Sequence, residues 1–496
     1  MNWNSLRQWF RKAANFFFVP KLRQMYLMGI FAVLLSLMTY AWYLSFGKQN
    51  QLSITTTYYD QLATSFQHGR LWLEESPSPT LLALPYPYSH KERKDANASF
   101  PWDITFYGGR FFLYWGPVPA IVLAGVKFIF PPLIGDQYLV FAFSAGILIF
   151  STLLIIDIWH RFFQQVPISL VLLCVLLAAF ANPITYMLGR SEIYEAAITG
   201  GQFFLIGELY FTFSAIEKTP VSKRHLMLAS IFLVCATGSR TTLMIPAVFL
   251  IAMTFLWIIA NDKGLKKLPN SGSQLIALGL PLGLGMLGLG WYNWARFGSV
   301  LETGFRYQLT DLDLNRLYNM TFSQSYILPN LQNYLFNPLK IISAFPFIVP
   351  EKGQSLLALR AGTPNIYDAE IITGIIFSLP FVLFAIIPVA SIFSSAVKRF
   401  IKKEKKASSR DDKLFLWITV CLIGTSFIPF AVLLFFFYAI MRYQADFTPS
   451  LVLLSVLGFW QAYYYLRHNS LARYLFVFFS LCLAILSITI GLLLAI

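Results

Sequence analysis

Pro117-Val118-Pro119-Ala120-Ile121-Val122-Leu123-Ala124-Gly125-Val126-Lys127-Phe128-Ile129-Phe130-Pro131-Pro132 is the stretch on which the orientation of the chain turns. It is apolar and bracketed by prolines, but its 16 residues fall short of the roughly 20 needed to cross about 30 Å of hydrocarbon. If it spans a membrane, every later loop changes side.

The surrounding chain is built for lipid. Of 496 residues, 57% are hydrophobic and 12% charged, with a mean hydropathy of +0.61, which leaves too little polar surface to cover a water-soluble globule. Apolar runs of spanning length recur throughout, and lipid forces each backbone group to bond within its own segment. The expected fold class is therefore an all-α polytopic membrane protein. Candidate spans are Met25–Phe46, Gln137–Trp159, Ile168–Met187, Ile193–Ile216, Leu226–Gly238, Thr241–Ala260, Gln274–Trp294, Ala369–Val397, Leu414–Ala439, Phe447–Leu466 and Leu471–Ala495, about eleven in all. Leu226–Ala260 counts as two spans hinged near Gly238-Ser239-Arg240.

Charge decides the parity. With Pro117–Pro132 left out as a juxtamembrane, re-entrant helix, 22 of the 38 lysines and arginines fall on the side of the N-terminal tail with six acids. The other 16 face 16 acids, with Glu208 alone in mid-span. Counting the stretch as a span would export the Lys398–Lys413 cluster, against the positive-inside rule. The resulting organisation is a basic cytoplasmic tail (1–24), a first span (25–46) and a large external loop carrying juxtamembrane helices (47–136). A bundle (137–294), a second external loop (295–368) and C-terminal spans (369–496) follow. Met25–Phe46 reads as an uncleaved signal-anchor, being too long for a signal peptide and lacking its exit site.

Composition also narrows the chemistry. The net charge of +15 is spread over loops between spans, which argues against a nucleic-acid partner. Its lysine-dense part, Lys398-Arg399-Phe400-Ile401-Lys402-Lys403-Glu404-Lys405-Lys406, reads as an anchor against anionic membrane lipids. Cys174, Cys235, Cys421 and Cys482 lie in apolar runs without metal spacing, and the five histidines are dispersed, so no metal site is indicated and a divalent cation is not required. Asp311-Leu312-Asp313 matches the D-x-D of soluble nucleotide-sugar enzymes, but it sits outside, away from nucleotides, and reads as a chance match.

The polar residues of interest gather externally. Tyr58 to Phe66 repeats at helical spacing and should form a short interfacial helix carrying Asp60. Asp103 stands among Trp102, Phe106, Tyr107 and Phe111–Trp115, rings that lower the local dielectric, raise a carboxyl pKa and make a better general base. Arg110, Arg190, Arg240, Arg296 and Arg442 lie at the outer boundary, where guanidinium forks grip phosphate. Each reads as simply as an interfacial anchor or the partner of Glu192, Glu195 or Asp446. Glu302, Tyr307 and Gln308 of the second loop are placed to bond sugar hydroxyls.

The order Tyr59, Leu62-Ala63, Gly69, Asp103, Tyr107-Gly108-x-Arg110-Phe111-Phe112-x-Tyr114-x-Gly116-Pro117-x-Pro119 resembles the first external loop of bacterial GT-C membrane glycosyltransferases. It is similar, more loosely, to protein O-mannosyltransferase and aminoarabinose-transferase relatives. Arg190-x-x-x-Tyr194-Glu195-x-Ala197, Arg296-Phe297-Gly298-Ser299-x-x-Glu302-x-Gly304-x-x-Tyr307-Gln308-Leu309 and Arg442-Tyr443-x-x-Asp446-Phe447-x-Pro449 extend the resemblance in order. The chain departs from it at Pro87-Tyr88-Ser89, where relatives often carry an acid after the tyrosine, and at Asp60, where they often lack one. The second departure favours Asp103 over Asp60 as base.

The resemblance implies a GT-C-like fold in a bacterial cytoplasmic membrane and an inverting transfer of a hexosyl or pentosyl unit. The donor would be a polyprenyl-phosphate sugar and the acceptor an external glycan, lipid or protein. The rival readings are a transporter or lipid-linked sugar flippase, which needs charge strung through the spans where this chain has little beyond Glu208, and a non-catalytic binder of lipid-linked sugar.

Overall fold

A computed structural model describes residues 20–45, 55–261, 268–354, 362–402 and 409–496. Most of the basic tail, Lys263–Lys267 and part of the Lys398–Lys413 cluster lie outside the described residues. Among those described, six helices are long and apolar enough to cross a membrane: Lys21–Leu44, Asp136–Phe162, Thr241–Ala260, Gly272–Phe297, Arg410–Leu434 and Ser470–Leu493. Several expose their apolar side chains outward, among them Leu27, Phe31 and Met38 on the first and Leu280, Leu284 and Leu287 on the fourth. Apolar surface of that extent is a lipid-facing surface.

Two further helices, Ile193–Ile216 and Thr448–Tyr465, are buried along most of their length and form the bundle's centre. The first packs against Asp136–Phe162 and Lys223–Ser239, the second against Arg410–Leu434. Their small residues permit this. A Cβ on Gly458 would lie 1.9 Å from the Phe384 carbonyl oxygen, so the neighbouring backbone sits directly on that helix.

The structure corrects several expected elements. Pro117–Pro132 forms a helix only over Val118–Lys127, whose ten residues rise about 15 Å, half a bilayer core. It packs on the short Tyr58–Gln67 helix, which Asp136 helps to hold by accepting from the Tyr58 and Tyr59 amides at 3.1 Å. Ile168–Met187 is not one helix. It breaks after Phe180, where Pro183 cannot donate and the Asn182 side chain takes over, donating to the Ala178 carbonyl at 2.7 Å and accepting from the Ile184 amide at 2.7 Å. Ala369–Val397 begins as extended chain, continues through a four-residue α-helical turn, Ile375–Ser378, and a 3-10 segment, Pro380–Ala385, and becomes a long α-helix only at Ile386–Lys402.

The fold is mostly helical rather than all-α, with small sheets in the loops. Thr105–Tyr107 and Arg110–Phe112 pair antiparallel around Gly108-Gly109, both at positive φ, as a two-residue hairpin turn demands. Leu339–Ile341, Ile348–Lys352 and Ile371–Ile372 make a three-stranded sheet. Asp368–Ala369 runs parallel to Tyr438–Ala439, bringing the two loop regions before and after the Arg410–Leu434 helix side by side.

Candidate functional site

Asp103 sits just before the hairpin, and its position is set by backbone bonds to the second large loop. Its amide donates to the Leu309 carbonyl at 3.1 Å, and Leu309 returns a bond to Ile104 at 3.0 Å. Its φ of 56° is left-handed, a conformation aspartate tolerates better than most residues. The carboxylate accepts a 2.7 Å bond from the Tyr194 hydroxyl, in the first turn of Ile193–Ile216. Burial holds the Asp103 carboxyl above its ordinary range, opposed by hydrogen bonds from Tyr194 and Thr310 and by the charge of Arg442, while Glu370 reinforces the rise.

This carboxylate lines a cavity of about 590 Å³ shared with Gln308, Asp311, Asp368, Glu370 and Arg442. Rings make up much of the remaining wall, including Trp102, Tyr114, Tyr367, Tyr438 and Tyr443. The volume suits a small polar ligand, and aromatic faces with carboxylates are what bind sugar C–H and O–H groups. Tyr438 donates to the Glu370 carboxylate. Arg442 lies over the Tyr194 ring at 4.4 Å, and its Nη1 stands 3.9 Å from the buried Glu195 carboxylate. Burial, the largest single influence, acts to lower the Arg442 pKa, but Glu195 together with Tyr443, Tyr194 and Tyr438 turns the net shift upward, so the guanidinium stays charged.

A second cavity of about 260 Å³ adjoins the first, and Tyr114, Tyr194, Phe305, Phe436 and Tyr443 face both. Arg240 lines it, held by Asp446, whose Oδ1 accepts from Arg240 Nε at 2.6 Å. Asp446 is fully buried, and its backbone carbonyl accepts from Gln202 at 2.7 Å.

Of the residues expected from sequence, the structure thus brings together Asp103, Gln308, Arg442 and Arg240, backed by Glu195 and Asp446. The others line neither cavity. Asp60 forms a buried pair with Lys127 at 2.7 Å and accepts from the Ile134 amide at 3.0 Å, which ties the two short loop helices together. Arg110 stacks on Trp72 at 3.8 Å and Arg190 on Tyr186 at 4.2 Å, both exposed. Arg296 is buried and donates to the Leu113 carbonyl at 2.6 Å. Glu302 pairs with Arg306 at 2.8 Å, and Tyr307 packs on Tyr107 with ring centroids 4.8 Å apart. Mid-helix Glu208 accepts from Thr212 at 2.8 Å.

Sequence reasoning missed Tyr194 as the partner of Asp103, and missed Asp368 and Glu370. The latter two stand at the mouth of the expected Ala369–Val397 span, where acids at a boundary were the available signal. The D-x-D pair divides. Asp311 reaches the larger cavity and pairs with His90 at 3.1 Å, whereas Asp313 caps the Leu314–Leu317 turn by accepting from the Arg316 amide.

No protein-family model matches the chain, and no curated protein matches it. Among solved structures, it is similar to an Archaeoglobus fulgidus oligosaccharyltransferase in the apo form, at 11% identity and a TM-score of 0.47 over 94% of this chain and 55% of that one. It is also similar to the oligosaccharyltransferase AglB of the same organism, solved with an inhibitory peptide and a dolichol-phosphate, at 11% identity and a TM-score of 0.45 over the same shares. A third such structure, tethered to an acceptor peptide, gives 12% and 0.41 over 94% and 54%. The chain spans about half the length of these proteins. At these values the likeness assigns no residue a role, and the roles below rest on the chain's own geometry.

Proposed function

We propose that this protein is a GT-C-type glycosyltransferase, with its site on the outer face of a bacterial cytoplasmic membrane. It moves a sugar from a polyprenyl-phosphate carrier to a glycan, lipid or protein acceptor. One observation carries the reading: a partly buried carboxylate of raised pKa, Asp103, opens into a polar, ring-lined cavity beside a second cavity that holds a fixed guanidinium. The ordered motifs from Tyr59 to Pro449 support it.

In this reaction Asp103 takes the proton of the acceptor hydroxyl as that oxygen attacks the anomeric carbon. The bond from that carbon to the phosphate oxygen breaks, and the electron pair leaves with the lipid phosphate, whose growing charge a cation stabilises. One base and one leaving group give a single displacement, hence inversion. Tyr194 fixes the carboxylate and Glu195 fixes Arg442 beside it.

Mass spectrometry of lipid-linked sugars and surface glycans in cells lacking the protein tests the reading. Accumulation of one lipid-phosphate sugar with loss of one glycan residue is expected, restored by wild type and not by Asp103→Asn. Unchanged pools of both would overturn it.

A further inference from the structure

We propose that the 260 Å³ chamber beside Arg240 is the subsite for the lipid phosphate, with the ring wall around Tyr114, Tyr194 and Tyr443 passing only the sugar through to Asp103. The proposal rests on the reading of the protein as a lipid-phosphate sugar enzyme and adds which cation grips the carrier.

Charge separates the two chambers. The larger is lined by four carboxylates, Asp103, Asp311, Asp368 and Glu370, whereas the arginine of each chamber has one buried acid behind it, Glu195 for Arg442 and Asp446 for Arg240. A phosphate there would meet repulsion from several sides. Among the described residues, no acidic side chain lines the smaller chamber. Arg240 is about nine-tenths buried, with an exposed side-chain fraction of 11%, and its bond to Asp446 uses Nε alone. That bond anchors the guanidinium through one nitrogen and leaves Nη1 and Nη2 outside it on a residue that lines the chamber, and a guanidinium's paired nitrogens are what grip phosphate.

Two independent features point to an anion at the same place. The helix Thr241–Ala260 opens with the 3-10 turn Thr241–Leu243 directly after Arg240, and among the described residues no side chain caps that turn, so its leading amides and positive dipole end lie next to Arg240 in the chain. Thr242 Oγ1 is buried with no hydrogen-bond partner among the described residues, a hydroxyl donor waiting for an acceptor. The rim supplies what a prenyl chain needs, with Leu301 and Phe322 exposed and Val432 and Leu433 beside them. Phosphate at Arg240, chain over the apolar rim and sugar between the tyrosines would place the anomeric carbon toward Asp103.

Native mass spectrometry of the full chain in detergent, titrated separately with a long-chain polyprenyl monophosphate, the matching polyprenol and inorganic phosphate, tests this without needing an acceptor. Arg240→Gln combined with Asp446→Asn removes both charges, so no carboxylate is orphaned, and Arg240→Lys retains the charge without the fork. The proposal expects wild type to bind the monophosphate more tightly than the polyprenol or free phosphate. The double variant should weaken that binding by about tenfold or more, as loss of a charge-assisted bond implies, with Arg240→Lys intermediate. Equal binding by wild type and the double variant overturns the subsite and leaves the transferase reading standing. Equal binding of polyprenol shows a tail site only, and equal binding of inorganic phosphate a free-anion site; either overturns the lipid-phosphate assignment. Arg240-dependent binding without any sugar transfer would instead sink the enzyme reading and keep the site.

Discussion

Tyr194 donates its hydroxyl to Asp103 at 2.7 Å, linking a loop carboxylate to a buried helix 91 positions later in sequence. The bond stabilises the ionised form of a carboxyl that burial pushes toward its neutral form. Transfer by Asp103 needs the ionised form, so kcat/KM should fall as pH drops through that raised pKa. Tyr194→Phe removes an opposing influence and should move the acidic limb to higher pH. A pH–rate profile of the two proteins checks this, and a limb that stays in place removes Asp103 from the role of base.

Stability has its own pH signature at the same residue. A carboxyl with a raised folded-state pKa binds its proton more tightly folded than unfolded, so stability falls as pH rises from the unfolded value, about 3.9, through the folded one. Ionised Asp103 is then a cost at neutral pH. Asp103→Asn should unfold at a higher temperature than wild type at pH 7 and at the same temperature below the unfolded value, while transfer falls by about 10²–10⁴. Thermal unfolding followed by tryptophan fluorescence at several pH values decides it. A variant less stable at pH 7 would show that the ion is well accommodated.

What sequence could and could not disclose divides along physical lines. The spanning helices were legible because lipid demands length and hydropathy, both local properties. The breaks at Pro183 and in Ala369–Val397 were less so, since tolerance of a proline depends on which neighbouring group takes over its bond, as Asn182 does. Asp103 stood out through its aromatic neighbours in sequence. Tyr194 bonds to it, and Glu370 and Asp368 share its cavity, only through the tertiary fold, and one-dimensional spacing carries no trace of the Asp368–Ala369 pairing with Tyr438–Ala439. Arg240, Arg296 and Arg442 looked alike as boundary cations. Burial and partner separate them, with Arg296 bound to the Leu113 carbonyl and Arg240 open to a chamber.

Asp60 and Lys127 are both nearly inaccessible, with exposed side-chain fractions of 4% and 8%. Removing one partner strands the other charge, so Asp60→Leu alone should cost about 3–5 kcal/mol, whereas adding Lys127→Met should recover most of it. Fluorescence-detected gel filtration after graded heating would show both. Equal stability of the single and double variants would mean that the pair is hydrated and contributes little.

Gly116 is a steric joint between the first loop and the bundle. A Cβ there would sit 1.9 Å from the Gly238 carbonyl oxygen, two residues before Arg240. Gly116→Ala must push the loop away from the helix end, and should lower the thermal midpoint and weaken donor affinity together, by roughly 1–3 kcal/mol of overpacking. The same heating assay paired with a donor titration measures both, and an unaffected variant would show that the contact relaxes freely.

Transfer itself is the most direct measurement. Purified protein added to vesicles from cells that lack it, supplied with a labelled polyprenyl-phosphate sugar, should release polyprenyl phosphate and glycosylate a membrane acceptor, and Asp103→Asn of equal folded content should do neither. Release at the same rate by wild type and Asp103→Asn would show that the carboxylate in the ring-lined cavity does not perform the chemistry.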